Sequence, residues 1–452
     1  MNVRHRSMRS LACTSGAMAA VLLGGAASTA FAAASLTPLG IYSVANGVSG
    51  DGSVVVGNSL FGSGYEAFRW TSAGGMVGIG KPPGDHSSYA RGINGDGSVV
   101  VGGSDYVVDD DNLGFRAFRW TAAGGMQDLG YLPGGAIQSV ALGVSADGSV
   151  IVGSSESASG YQAFRWTAAG GMQGLGDLPG GWFQSEANGA SGDGSVIVGY
   201  GTAVSNNSEA FRWTSAGGIV GLGVLPGDLQ SEANGVSADG SVVVGNSNSG
   251  CTDGCVGQAF RWTSGGMVGL GVLPGMMNSR AWGVSGDGSV VVGWSESNSG
   301  HQAFRWTADG GIRALWDVLL SHGVDPAADG WSTLEFAKAI SADGNTIVGD
   351  GVRNGVTEAF VAILDEPLMG DTNDDGIVDL NDLNNVRNNF GATGAGLLGD
   401  TNHDDIVDLD DLNAVRNNFG ASGNAQPVPE PSTIAIVSVA LLGLGMTSRR
   451  RV

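Results

Sequence analysis

One phrase dominates this chain: Ser-Ala-Asp-Gly-Ser-Val-Ile-Val-Gly at Ser145 to Gly153, followed about ten residues later by Ala163-Phe164-Arg165-Trp166-Thr167. Its Asp-Gly pair returns at Asp51, Asp96, Asp147, Asp193, Asp239, Asp287 and Asp343. The aromatic block returns at Phe68, Phe118, Phe164, Phe211, Phe260 and Phe304, with a degraded copy at Ala359-Phe360, where Val361-Ala362 replace the Arg and Trp. A unit repeated every 44 to 56 residues is one supersecondary element that cannot bury its own faces alone. Neighbouring copies must therefore stack into an array or a ring.

The copy from Ala141 to Gly176 parses into four strands. Ala141 to Ser145 is a short strand of small residues, and Asp147-Gly148 reads as a two-residue type I′ hairpin. Val150-Ile151-Val152 is a β-branched run suited to burial on both faces. A variable loop is expected from Gly153 to about Tyr161, then a third strand from Gln162 to Thr167, with Phe164 and Trp166 on one face and Ala163 and Arg165 on the other. Gly170-Gly171 turns the chain into a fourth strand, Met172 to Gly176, before the break at Leu178-Pro179-Gly180.

Four short antiparallel strands per ~45 residues is the arithmetic of a β-propeller blade; tandem hairpins of a β-solenoid are the rival. The strand count separates them. Fourth strands occur at Met76, Met126, Met172, Ile219, Met267 and Ile312, whereas the seventh unit stops after three, at Phe336 to Ile340, Thr346 to Gly349 and Glu358 to Leu364. The missing strand stands at the other end of the array, as Leu36-Thr37-Pro38-Leu39-Gly40. Pairing it with the last unit removes two sheet edges at once. The expected fold is thus all-β: a seven-bladed β-propeller over residues 36–364, closed by its N-terminal strand.

The array resembles the HAF-type repeat of exported bacterial proteins, named for the triplet seen here in His301-Gln302-Ala303-Phe304-Arg305-Trp306. The likeness covers about 330 residues and includes a helical insertion, Leu315-Trp316-Asp317-Val318-Leu319-Leu320. It implies an extracellular location and carries no activity. Arg69, Arg119, Arg165, Arg212, Arg261 and Arg305 are read as building each blade by pairing inside it; a ring for anionic glycans is the alternative. The repeated aspartates are read as turn formers. Ligand faces are built where copies differ, which singles out Asp109-Asp110-Asp111, Trp182-Phe183, Met276-Met277 and Tyr131. His86, His301, His322 and His403 are scattered, with neither a nucleophile elbow nor a phosphate loop. No catalytic constellation is expected.

Beyond Leu364 come two copies of a 22-residue segment, Gly370 to Gly391 and Gly399 to Gly420. Asp371, Asn373, Asp375, Asp379 and Asp382 stand at loop positions 1, 3, 5, 9 and 12, with Gly376 at the sharp turn and the Ile377 carbonyl at position 7. That spacing wraps a hard cation in six or seven oxygens, and calcium is the expected cofactor. Leu380, Leu383, Val386 and Phe390, like Leu409, Leu412, Val415 and Phe419, are expected on one helical face. The tandem, residues 369–421, resembles a type I dockerin, an EF-hand-like α-helical module. By that resemblance the second site uses Asp400, Asn402, Asp404, the Ile406 carbonyl, Asp408 and Asp411, although Asp405 stands where the turn glycine belongs. A cohesin-like module is the implied partner, but Leu380-Asn381 and Leu409-Asp410 replace the Ser-Thr pair of cellulosomal dockerins.

The ends carry addresses. Arg4, Arg6 and Arg9, an apolar run from Leu11 to Leu23 and Ala30-Phe31-Ala32 read as a secretory signal over residues 1–32. Export to an oxidising compartment favours a disulfide between Cys251 and Cys255; two free thiols in a loop are the alternative. At the other end Pro429-Glu430-Pro431 precedes an apolar run from Ile434 to Met446 and then Arg449-Arg450-Arg451. This is a single apolar helix marginally able to span a bilayer, either a tail anchor or a processed sorting signal. The trio over residues 428–452 resembles the PEP-CTERM tail of exosortase substrates, which implies transient anchoring in the inner membrane and then release or transfer to the cell surface. With 21 Lys plus Arg against 43 Asp plus Glu, a formal charge of -22, a nucleic-acid partner is excluded, since it needs a basic face.

The expected function is a non-catalytic cell-surface or extracellular-matrix protein with a propeller as binding scaffold; the alternative is a secreted carbohydrate-active component of a polysaccharide-degrading assembly. Calcium should fold the tandem. A 366–424 fragment should lose its helical circular dichroism in chelator, and equal helicity with and without chelator would contradict this.

Overall fold

In a computed structural model, residues 34–420 are described apart from 63, 110–111, 251–256, 365–369, 371, 373–377, 395–396 and 402–405. They form two compact units, dividing at Glu366–Pro367. The signal segment, Cys251 and Cys255, and the sorting tail with Pro429, Glu430, Pro431, Arg449, Arg450, Arg451 and its apolar helix lie outside the described residues.

The first unit is a seven-bladed β-propeller. Seven four-stranded antiparallel sheets follow one another, and six take their strands in sequence order. The seventh is built from Trp331–Ile340, Thr346–Arg353 and Val356–Ile363, and Ser35–Ile41 is its outer strand. Leu36 pairs with Ala362, Thr37 with Val361 and Pro38 with Phe360. The closing strand expected at Leu36 to Gly40 is therefore where the strand count put it. The first strands of all seven blades line the central channel, so the small residues do face the axis. The helical insertion is α1 (Leu315–Ser321), packed with Leu315, Val318 and Leu319 buried beside the seventh blade.

Blade-on-blade packing follows from strand alternation. Ile151 and Phe164 are buried against Val101 and Ala117 of the blade before, while Val150, Val152 and Ala163 meet Ile197 and Phe211 of the blade after. Each blade thus presents an aromatic face backward and a small-residue face forward, which fits large side chains against small ones.

Three local expectations need correction. The loop expected between Gly153 and Tyr161 is instead a continued hairpin: Ile151–Ser157 pairs with Gly160–Thr167, Ser157 opposite Gly160. The Asp-Gly turn is not type I′, because positive φ falls on Gly148 and not on Asp147. A four-residue loop joins Ser145 to Val150, closed by Gly148 N–H donating to the Ser145 carbonyl at 2.9 Å. Asp147 Oδ1 accepts from the Ser145 hydroxyl at 2.5 Å and from Ser149 N–H at 2.9 Å. The glycine serves twice: Gly240 has φ +73, and a Cβ there would meet Val196 Cγ2 of the preceding blade at 2.5 Å. Thirdly, the repeated arginines do not pair inside their own blades where contacts are resolved. Arg212 reaches the Gly240 carbonyl at 3.4 Å and Arg261 the Gly288 carbonyl at 3.3 Å, each in the turn of the next blade.

One repeated residue went unread in the sequence. A serine in each of six first strands is buried and accepts from the preceding blade's alanine N–H, as Ser139 from Ala117 at 3.0 Å and Ser231 from Ala210 at 2.9 Å. Its own hydroxyl donates to the glycine carbonyl after that blade's fourth strand, Gly130 at 2.8 Å and Gly223 at 2.6 Å.

Closure and turns make two predictions. Leu36→Ala or Leu39→Ala should each cost about 2–4 kcal/mol in denaturant unfolding, as buried leucine truncations do; losses under about 0.5 kcal/mol would contradict closure by this strand. The Ser237 hydroxyl lowers the Asp239 pKa to about 2, and hydroxyl bonds from Ser145 and Ser98 lower those of Asp147 and Asp96. A carboxylate depressed by folding stabilises fully above its unfolded value, and that contribution fades as pH falls through the folded one. The denaturation midpoint should therefore drop between about pH 4 and pH 2, less steeply in Asp239→Ala. An unchanged slope in that variant would contradict the turn role.

Candidate functional site

Residues common to the copies are used up in building blades, so chemistry has to sit where the copies differ. In each first strand the residue after the repeated serine changes: Val44, Tyr89, Val140, Glu186, Glu232 and Arg280, with Phe336 in the seventh. Their cross-strand partners change too, among them Ser154, Tyr200, Trp294 and Asp350. Two residues further on stand Arg91, Trp282 and Lys338 along the channel wall. Strand pairing carries these variable side chains to the channel and the clefts between blades, at the opposite end of the first strands from the Asp-Gly turns.

Two clusters result. Between blades 6 and 7, Trp282 stacks on Phe336 at 5.9 Å between centroids, and Trp294 meets both edge-on at 6.3 and 6.0 Å. His301 lies 4.8 Å from Phe336. Lys338 Nζ sits 5.8 Å from the Trp282 ring and 2.5 Å from Asp350 Oδ1. Burial raises the Asp350 pKa and the Lys338 charge opposes that rise. Arg280 forms an ion pair with Glu232 of the neighbouring blade.

Between blades 2, 3 and 4 a hollow of about 400 Å³ is lined by Arg91, Phe115, Gln138, Tyr161, Gln184, Glu186 and Tyr200 among others. Phe115 and Tyr161 are 41% and 44% exposed. The Tyr161 hydroxyl donates to Gln138 Oε1 at 2.5 Å, and the Ser154 hydroxyl to Glu186 Oε2 at 2.9 Å. Burial raises the Glu186 pKa, with the Ser154 bond opposing and Glu232 adding to the rise. Burial also raises the Tyr200 phenol. Arg91 stays open to the channel yet is crowded enough by protein that burial lowers its pKa.

The loop residues singled out by sequence sit outside these clusters. Trp182 is 76% exposed, with its backbone N–H donating to Asn206 Oδ1 at 3.0 Å, and Tyr131 and Met277 are also exposed. Met276 packs into the core. Asp109 ends a strand, and Asp110 and Asp111 lie outside the described residues. Sequence reasoning missed Arg91, Glu186 and Tyr200. The signal was there, in strand positions that vary while both neighbours stay fixed.

The second unit holds α2 (Leu380–Asn389) and α3 (Leu409–Asn418) over a core of Val378, Val386, Val407 and Val415, with Leu383, Leu397 and Leu412 against it. The halves clasp reciprocally: Gly391 N–H donates to the Val407 carbonyl at 2.7 Å and Gly420 N–H to Val378 at 2.8 Å. The expected apolar stripe is corrected at its ends. Leu380, Phe390, Leu409 and Phe419 are 52% to 64% exposed, and the valines preceding each helix fill the core instead.

Of the expected cation ligands, Asp371, Asn373, Asp375, Ile377, Asn402 and Asp404 lie outside the described residues. Asp379, Asp382, Asp400, Ile406, Asp408 and Asp411 are described, and among described residues no group of three or more His, Cys, Asp or Glu gathers around one point. Asp382 and Asp411 are fully buried. Asp382 accepts from Thr372 N–H at 2.7 Å, its hydroxyl at 3.0 Å and Asp379 N–H at 2.7 Å, and Asp411 repeats this with Thr401 and Asp408. Two immobilised oxygen donors, one per loop, are chemically suited to a hard cation.

No protein-family model and no curated protein matches the chain. Among solved structures, an oligogalacturonate lyase in complex with manganese superposes with a TM-score of 0.47 at 12% identity, over 74% of this chain and 94% of that one. An oligogalacturonate lyase from Vibrio parahaemolyticus gives 0.46 at 11%, over 74% and 98%. TolB from Acinetobacter baumannii gives 0.41 at 11%, over 59% of this chain and 64%, just under two thirds, of that one. Likenesses this low carry no activity across. Among the described residues no helix is long and apolar enough to cross a membrane.

Asp382→Ala would strand three donors, each otherwise bonded to a carboxylate. The melting transition of the second unit should lose about 3 kcal/mol, with that of the propeller unchanged. A loss under about 0.5 kcal/mol would contradict the anchoring role.

Proposed function

We propose that the chain is a non-catalytic exported protein of the cell surface or extracellular matrix. Its propeller is a binding scaffold, and its calcium-loaded dockerin-like tandem docks a cohesin-like module or another surface protein. An exosortase-type enzyme processes its tail after transient anchoring in the inner membrane. The observation that carries this reading is the division of labour in the blades. Shared residues join blade to blade, whereas Arg91, Glu186 and Tyr200 in one place and Trp282, Trp294 and Phe336 in another gather at the channel wall and the inter-blade clefts, in combinations found in no single repeat. Exposed Leu380, Phe390, Leu409 and Phe419 give the tandem a duplicated apolar face that suits a protein partner.

A second reading, a carbohydrate-active component of a polysaccharide-degrading assembly, draws on the carboxyl pair Glu186 and Glu232 on adjacent blades. Burial raises the Glu186 pKa while Glu232 is ion-paired to Arg280, and unlike environments suit an acid and a base. The ion pair occupies the carboxylate a base would need free, so the non-catalytic reading is preferred.

The test is recovery of partners from the cell envelope on immobilised mature protein. A partner should be retained in calcium and released by chelator, and reducing-sugar release from envelope polysaccharide should stay at background. Retention indifferent to chelator would contradict calcium-dependent docking, and turnover abolished by Glu186→Gln would establish the enzyme reading instead.

A further inference from the structure

We propose that the hollow between blades 2, 3 and 4 binds a neutral sugar chain, with Phe115, Tyr161 and Tyr200 as stacking rings and Arg91 and Glu186 as partners for sugar hydroxyls. This rests on the reading of the propeller as a binding scaffold and assigns it a ligand class and a place.

Hydrogen-bonding capacity is left open in the hollow. Arg91 has five guanidinium N–H donors, and among the described residues it makes no hydrogen bond or ion pair. Glu186 Oε2 accepts from Ser154 at 2.9 Å, while Oε1 has no partner among the described residues. A donor-only group and a carboxyl with a spare oxygen line one cavity without forming an ion pair with each other. A sugar hydroxyl donates and accepts at once, so adjacent hydroxyls satisfy both. Arg91, open to the channel, and the half-buried Glu186 both keep hydrogen-bonding capacity that a ligand in the hollow can use.

The lining mixes aromatic and amide surfaces. Sugar rings present apolar C–H faces edged by hydroxyls, and they match aromatic rings interleaved with amides. Phe115 and Tyr161 leave much of their surface open beside Gln138 and Gln184. The Tyr161 ring is held by its hydroxyl bond to Gln138 at 2.5 Å, so ordering it on binding costs little entropy. The cavity of about 400 Å³ falls in the usual small-ligand range of about 300–1,000 Å³.

Charge decides the class of sugar. The chain carries a formal charge of -22, and around Glu186 the like charge of Glu232 is offset by Arg91 and Arg280. A charge-balanced hollow in an acidic chain lacks the cluster of cations a polyanionic chain would need, while a neutral one is indifferent to this balance.

The experiment is titration calorimetry of the mature full-length protein with neutral tetrasaccharides of gluco, manno, galacto and xylo configuration, and with a tetrauronate. At least one neutral tetrasaccharide should bind. Tyr161→Ala and Arg91→Ala should each weaken it at least about tenfold, and Tyr161→Phe, which frees the ring from Gln138, should weaken it less than Tyr161→Ala, while Val77→Ala, exposed on the outer strand of the first blade, leaves it within about twofold and thermal melting shows every variant folded. Binding of the tetrauronate alone would overturn the neutral class. Binding lost in Trp282→Ala and kept in Tyr161→Ala would overturn the hollow and leave the channel mouth as the binding face. No saccharide binding by protein that still captures its envelope partner would overturn the sugar assignment and leave the scaffold reading standing.

Discussion

A closed circle of seven backbone hydrogen bonds ties the blades together at the Asp-Gly turns. Gly50 N–H donates to the Gly95 carbonyl, Gly95 to Ala146, Asp147 to Gly192, Gly192 to Ala238, Ala238 to Gly286, Gly286 to Ala342, and Ala342 back to Gly50, at 2.8 to 3.2 Å. Sheet hydrogen bonds run within blades, so without this circle and the serine bridges the blades would be joined mainly by apolar contact, which fixes distance better than register. The turn residues are chosen for it. The aspartate holds the loop by accepting from its flanking serines, and the glycine lets the next turn sit against the valine of the blade before.

This arrangement explains why so much of the sequence is uniform and so little of it is chemically active. Ser, Ala, Gly, Asp, the β-branched run and the aromatic block each have an inter-blade duty repeated around the ring. A charged residue substituted at the buried serine, alanine, valine or phenylalanine positions would be buried between two sheets. Freedom is left at strand positions whose side chains face the channel or an inter-blade cleft near its mouth. There one blade can carry Glu186, the next Glu232 and the next Arg280 without changing the joint below them.

Most of the architecture was legible because period, strand count and alternation are properties of sequence spacing. The closing strand at Leu36 to Gly40 followed from counting alone. What spacing does not encode is the neighbour in space. Arg212 looked like an internal strut because its own blade is all that the repeat displays, yet its nearest carbonyl, Gly240, belongs to the following copy. The Asp-Gly dipeptide is compatible with a two-residue or a four-residue turn, and the tie to the next blade selects the longer one. In the acidic tandem the helical period fixed Leu383 and Val386 but not Leu380 and Phe390, because Val378 and Val407, outside the helices, compete for the same interior. Arg91, Glu186 and Tyr200 were hidden because they stand where the copies disagree, the Arg and the Tyr in one copy each and the Glu shared only with Glu232.

Amide hydrogen exchange at the seven turn donors tests the circle most directly. If the ring is what holds the blades in register, the amides of Gly50, Gly95, Asp147, Gly192, Ala238, Gly286 and Ala342 should be protected alike and exchange only with global unfolding, although all seven lie in loops. Exchange within seconds, or protection that differs from blade to blade, would contradict it.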